Sequence, residues 1–146
     1  MLSLHILKLC VGCDTVEELA AWQRQRLAEF RKAGIEPELL HVTRQTPRRA
    51  GFGPGSSIYW IMGGFTRARQ KIHGLREVRG ADGILRCGLI LDPELILTEP
   101  QPRRPFQGWR YLPAEEAPAD LDAGATIADA SMPAAMRSAL IELRLI

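Results

Sequence analysis

The 146-residue sequence predicts a single α+β domain: a mixed, curved sheet or small barrel of about six strands, with one long helix near the N-terminus and a short one at the C-terminus. Three observations carry that prediction. Short runs rich in β-branched and aromatic residues, such as SIYWIM at 57–62, recur between breaks of Gly and Pro. One longer stretch, 16–33, has helical periodicity with stop and start signals at its ends. The composition, 46% hydrophobic and 25% charged, is that of a soluble globular chain long enough to bury a real core.

The elements follow in order. Leu2 to Val11 reads as a buried strand, apolar on both faces and interrupted only by His5 and Lys8. Asp14 is placed to cap the helix, with Glu17 at capping-box spacing. Val16, Leu19, Ala20, Trp22, Leu27 and Phe30 give the helix its apolar positions. Arg31 and Lys32 suit its C-terminal dipole, and Gly34 ends it. Glu38 to Arg44 is the next strand, and the order strand, helix, strand implies a parallel pair with a right-handed crossover. Gln45 to Ser57 is a loop rich in Pro and Gly.

Ser57 to Met62 carries no charge and reads as a central strand, closed by Gly63-Gly64. Arg67 to Ile72 fits either a short helix or a continuing strand. Leu75 to Arg79 and Ile84 to Leu91 flank the turn Gly80-Ala-Asp-Gly83, which is hairpin chemistry. Asp92-Pro93 turns the chain into a short strand, Leu95 to Thr98. Pro100, Pro102 and Pro105 then hold Arg103 and Arg104 in an extended, polyproline-like segment. Gln107 to Leu112 is a last extended piece. Residues 112–131 are rich in Ala, Pro and acids and read as a loop. Ser131 and Pro133 open a terminal helix with Met136, Leu140, Ile141 and Leu143 on its apolar face.

The net charge of +2 hides a segregation. Between Arg44 and Arg79 a run of basic residues faces one acid, Glu77; from Leu112 to Ala130 there are five acids and no Lys or Arg. A basic middle points to an anionic partner, and the acidic tail is either its competitor or its neighbour within the fold. The N-terminus lacks a signal-peptide pattern, and no run reaches the roughly 18 apolar residues needed to span a bilayer. The expectation is a cytoplasmic protein with no membrane partner, and its odd count of three cysteines fits a reducing compartment.

Few motifs carry chemistry. Cys10 and Cys13 form CVGC, the spacing of zinc knuckles and of redox pairs, but Cys87 has no second ligand beside it, so no metal site and no cofactor is expected. The pair is either a redox couple ahead of the helix or one buried strand residue and one loop residue. His5, His41 and His73 are scattered. His41 at a strand end is the best placed for acid–base work, with Asp92 the other catalytic candidate; the competing readings are a structural histidine and a turn-forming aspartate. Nucleophile-elbow, Walker, Rossmann and HExxH patterns are absent.

Arginine is the remaining signal. The pairs Arg48–Arg49, Arg67 with Arg69, and Arg103–Arg104 each stand beside a hydroxyl or a stiffening proline, with Arg44 and Arg110 nearby in sequence. Guanidinium groups stay protonated and grip anions bidentately. Together with the stacking faces of Tyr59, Trp60, Trp109 and Tyr111 they make the combination used by single-strand and RNA binders. The competing reading is structural: aromatics packed in a core, and arginines on solvated faces or in ion pairs worth about 0–1 kcal/mol each.

The phrases LHILKLCVG, HVTRQTPRRA, GSSIYWIMGGFTRARQ, GILRCGLILDPELI and PRRPFQGWRYL, in that order, resemble a small bacterial family catalogued as domain of unknown function 1489. The resemblance runs over nearly the whole chain and implies no particular activity. More loosely, a Tyr-Trp strand followed by an Arg-rich element and a hairpin is similar to PUA-like domains, a superfamily that includes RNA-binding modules. The leading expectation is a binding module for RNA or a phosphorylated small molecule. Its alternatives are an enzyme with an arginine clamp for a small anionic substrate, and a protein-interaction module using the Pro-Arg-aromatic segment.

Overall fold

A computed structural model of the chain describes residues 4–104, 106–121 and 126–127. The described chain runs β1 (Leu4–Leu9), α1 (Val16–Lys32), β2 (Leu39–Thr43), β3 (Ser57–Met62), β4 (Phe65–Arg79), β5 (Leu85–Leu91), β6 (Leu95–Pro102), β7 (Trp109–Pro113) and a two-residue β8 (Thr126–Ile127). The fold is α+β with a mixed sheet. Its main path is β2-β5-β4-β3-β1-β7, with β6 joining β4 and β8 joining β6. The terminal helix expected from Ser131, and Pro105 of the proline segment, lie outside the described residues.

Two expectations about topology are corrected. The parallel partner of β1 is β3, in the register Ile6 to Ile58 through Leu9 to Ile61, whereas β2 pairs antiparallel with β5. The reason lies in burial: β3 is buried at every position and takes an interior place between β1 and β4, whereas β2 is only partly buried and ends the path. The crossover therefore contains both α1 and β2. The barrel alternative also gives way, because the main path ends at β2 and β7 without pairing them.

The region 67–72, which fitted helix or strand, is strand. It belongs to β4, whose fifteen residues serve two groups of partners. The first half carries β3 on one edge and β6 on the other, and the second half carries β5. Register shifts at Trp60/Ile61, Ile72/Gly74 and Thr66/Ala68 mark local bulges, which bend a strand and raise its twist. The third bulge also accommodates Pro100, since proline cannot donate to a ladder. Pro102 pairs with Phe65 at the end of β6. The proline segment is thus mostly the end of a strand, not a free polyproline stretch. Residues 112–121 are also better packed than a loop of that composition implies: Leu112 and Pro118 are buried, and the backbone at 119–121 bonds to Leu97 and Glu99 of β6.

Helix α1 closes one face of the sheet. Val16, Leu19 and Ala20 enter the main core with Ile6, Trp60, Ile72, Leu89 and Leu91. Its N-cap is Thr15, one residue later than the sequence indicated: the Thr15 hydroxyl accepts the Glu18 N–H at 3.1 Å and donates to the Glu18 carboxylate. At the other end Gly34 takes φ +71°, and the bonds Gly34 N–H to Arg31 O and Ile35 N–H to Phe30 O complete a Schellman motif. Thr15→Ala is expected to cost about 1 kcal/mol in urea denaturation, with no loss of the strands. A second cluster, Leu7, Tyr59, Ile61 and Leu112, fills the opposite face beneath Phe106 and Ala117. No helix among the described residues is long and apolar enough to cross a membrane.

Candidate functional site

The candidate site is the seam where the sheet fails to close, between the two path ends β7 and β2. Strand β7 lies on one side of it, the end of β2 and the loop after it on the other. Trp109 and Tyr111 alternate with Arg110 along β7, so they share one face. The Trp109 indole N–H donates to Gln45 O at 2.9 Å, and the same carbonyl accepts from the Thr43 hydroxyl at 2.8 Å. The Tyr111 hydroxyl accepts the backbone N–H groups of Arg48 at 2.9 Å and Arg49 at 3.2 Å. The two rings meet edge to face at 4.7 Å, and the Arg49 guanidinium lies 5.2 Å from the centre of the Tyr111 ring. Aromatic tips therefore fasten the loop across the open seam.

Above this fastening lie two adjoining cavities of about 540 and 460 Å³, which share Arg44, Gln45 and Trp109. The first adds Arg48, Arg86 and Glu77; the second adds Lys8 from β1. Cations outnumber acids on the lining: Arg44, Arg48, Arg86 and Lys8 against Glu77. Arg86 is held by Asp82 at 2.8 and 3.0 Å. Arg44 and Arg48 are exposed and form no salt bridge among the described residues. Burial lowers the pKa of Lys8, which makes an added anion beside its ammonium favourable.

The other arginines are distributed elsewhere. Arg67 is buried, donates Nε–H to Met62 O at 2.8 Å and lies over Phe65; burial lowers its pKa. Arg69 forms a bidentate pair with Asp120 at 2.8 and 2.9 Å and donates to the Ser57 hydroxyl. The Asp120 hydrogen bond raises its pKa more than burial lowers it. Part of the acidic tail is thus an intramolecular neighbour of the basic middle. Arg103 donates its backbone N–H to Gly64 O and its guanidinium to Gln101, Arg104 is exposed at the end of β6, and Arg110 stacks on Phe106 at 4.5 Å.

Tyr59 and Trp60 are core residues, 5% and 3% exposed, so neither offers a free face. Both stand on β3, where every position is buried. His41 packs edge to face on Trp60 at 5.1 Å, and burial, then the Lys8 charge, pushes its pKa down to about 4. Asp92 bonds His73 at 3.0 Å and caps the Glu94 N–H. Neither His41 nor Asp92 lines the arginine groove. Of the predicted set the structure brings together Arg44, Arg48, Arg49, Trp109 and Tyr111. Lys8, Gln45 and Arg86 join them unforeseen. Lys8 was visible only as a charge interrupting an apolar strand, and Arg86 only as a charge after a hairpin turn.

These features define an α+β module with a basic, aromatic-floored groove at an open sheet seam. Residues 6–146 match the family described as protein of unknown function (DUF1489), and the chain belongs to that family. No curated protein and no solved structure matches it.

Proposed function

We propose that the groove binds a phosphorylated ligand, with a single-stranded RNA segment as the form it fits best. The observation that supports this reading is the pair Arg44 and Arg48: two exposed guanidiniums without carboxylate partners among the described residues, on a groove whose floor is already fastened by Trp109 and Tyr111. Guanidiniums held on an ordered loop lose little freedom on gripping a phosphate. The two adjoining cavities make the groove elongated, as a chain of nucleotides requires. The looser PUA-like likeness is in keeping with RNA as the ligand, although the sheet is open where a barrel would close. A cytoplasmic location is part of the same reading, and three free cysteines are in keeping with it. The enzymatic reading finds less support, since His41 and Asp92 are turned to other partners. So does the interaction-module reading, since Phe106 is half-buried beneath Arg110.

The test is binding of short single-stranded RNA across a salt series, beside a nucleoside monophosphate and inorganic phosphate. Wild type should bind RNA with an affinity that falls as salt rises. Arg44→Ala/Arg48→Ala should bind roughly 10- to 100-fold more weakly, with a salt slope shallower by about 1 to 1.5. Arg67→Lys, away from the groove, should leave the slope unchanged. Binding of the monophosphate alone would assign the groove to a small ligand. Failure of all three at low salt would overturn the proposal.

A further inference from the structure

Lys8 also lines a further cavity, of about 310 Å³, together with Cys10, Cys13, Trp22, His41 and Trp60. All three cysteines of the chain are free thiols, and two of them line this cavity. Cys10 directly follows β1 and is buried; Cys13 is half-buried. The four residues from Cys10 to Cys13 form a tight turn: Cys13 N–H donates to Cys10 O at 3.4 Å, and Gly12 adopts φ +83°. A turn of this kind brings its first and last Cα atoms within about 7 Å, and a disulfide bridges about 4.4–6.8 Å. Val11 at the tip is 82% exposed, so the turn is free to tighten without disturbing the core. The turn also stands clear of the helix cap, which begins at Thr15. Among the described residues no group of three His, Cys, Asp or Glu side chains is arranged to hold a metal, which leaves the thiols to each other.

We infer that Cys10 and Cys13 form a reversible dithiol–disulfide site, oxidised by low-molecular-weight disulfides that enter the cavity at Cys13. Cys13 gives its proton to water and its sulfur attacks one sulfur of R–S–S–R; that S–S bond breaks, and the departing RS⁻ takes a proton from water. Cys10 then gives its proton to water and attacks the Cys13 sulfur, breaking the mixed disulfide and releasing a second RS⁻. Two protein thiols lose two electrons and two protons in all, and the small disulfide becomes two thiols.

The order of attack follows from the surroundings of the two sulfurs. Burial raises the pKa of Cys10 first, then the charge of Cys13 and the hydrogen bond between the thiols, so Cys10 holds its proton and the more accessible Cys13 attacks first. Capping Cys13 removes the second and third of these influences together; burial and the Glu18 charge still raise the pKa of Cys10, and the Lys8 charge opposes them. The resolving step therefore meets a lower barrier to deprotonation of Cys10 than the uncapped pair does. Cys87, 2% exposed on β5, has no access to the cavity and serves as an internal control.

The experiment equilibrates the native chain with oxidised glutathione and stops exchange with acid. Free thiols are then alkylated in denaturant, so that buried Cys87 is reached too, and intact and peptide masses are measured. Wild type should lose two hydrogens, with the bridge mapped to Cys10–Cys13, Cys87 still alkylated, and full recovery on adding dithiothreitol. Cys10→Ser should instead stop at one glutathione on Cys13, and Cys13→Ser should take up none at Cys10. A wild-type protein that keeps both thiols alkylated, or that ends as the mixed disulfide with no internal bridge, overturns the inference. That readout needs only the native chain.

Discussion

Replacing Gln70 with alanine is expected to cost the fold about 3–5 kcal/mol, close to the whole stability of a small domain. Gln70 is fully buried on β4, and its amide uses all four of its hydrogen-bonding positions. Its oxygen accepts from Gln23 Nε2 and from the Trp60 indole, each at 2.9 Å. Its nitrogen donates to the Gln23 oxygen and to Asp92 O, each at 2.9 Å. One amide thus ties helix α1, strand β3 and the β5–β6 turn to β4. Alanine strands the Trp60 N–H and both ends of the Gln23 amide in the core and leaves a void besides. Urea denaturation followed by Trp fluorescence measures the loss. Gln23→Leu combined with Gln70→Leu should cost less than the sum of the single changes, because the two amides remove each other's need for a partner. A loss below about 1 kcal/mol for Gln70→Ala would mean that the network does not hold the helix in place.

Acid should weaken the wild-type protein through His41. Its folded pKa, about 4, lies below the unfolded value of 6.5. As pH falls the unfolded chain takes up the proton first, so the stability that burial of the neutral ring gives is complete above about pH 6.5 and is lost as pH approaches 4. Between about pH 7.5 and about pH 4.5 the loss amounts to about 2.5 kcal/mol. The ring sits against Trp60, and its Nε2 has no hydrogen-bond partner among the described residues, so a proton there gains nothing from them. His5, whose pKa is also lowered by burial and then by Arg69, adds to the wild-type slope with the same sign. The difference between wild type and His41→Phe isolates the His41 share: the variant should show a slope flatter by that amount. Equal slopes in the two proteins would remove His41 as the cause.

The parts of the fold legible in the sequence are those decided locally. Helix α1 was bounded to within a residue at its C-terminus by Gly34, because a left-handed residue is a property of the chain itself. The hairpin at Gly80–Gly83 and the turn at Gly63-Gly64 were legible for the same reason. Pairing between strands distant in sequence was not legible. The β1–α1–β2 order looks like a parallel unit, yet β2 goes to β5 and β1 to β3, a choice made by burial across the whole sheet. The site divided in the same way. That arginines and aromatics would matter was readable from their types, but Arg67 and Arg69 are spent on Met62 and Asp120, contacts no spacing announces. Trp60 and Trp109 look alike in sequence; only the strand each occupies sends one to the core and the other to the seam.

Strand β1 has a consequence in time. It opens the described chain, yet its two neighbours are β3 and β7, and Leu4 pairs with Pro113 near the far end. Pairings of such long separation slow folding, because the loop they close must be ordered before they repay it. During synthesis β1 emerges before either partner and waits for β7, so a chain interrupted before Trp109 would present that edge to other chains. The hydrogen bonds of Trp109 and Tyr111 to the 45–49 loop can form only then. The groove is therefore completed only once β7 has been made, and a chain truncated before it would carry the arginines without the floor that orders them.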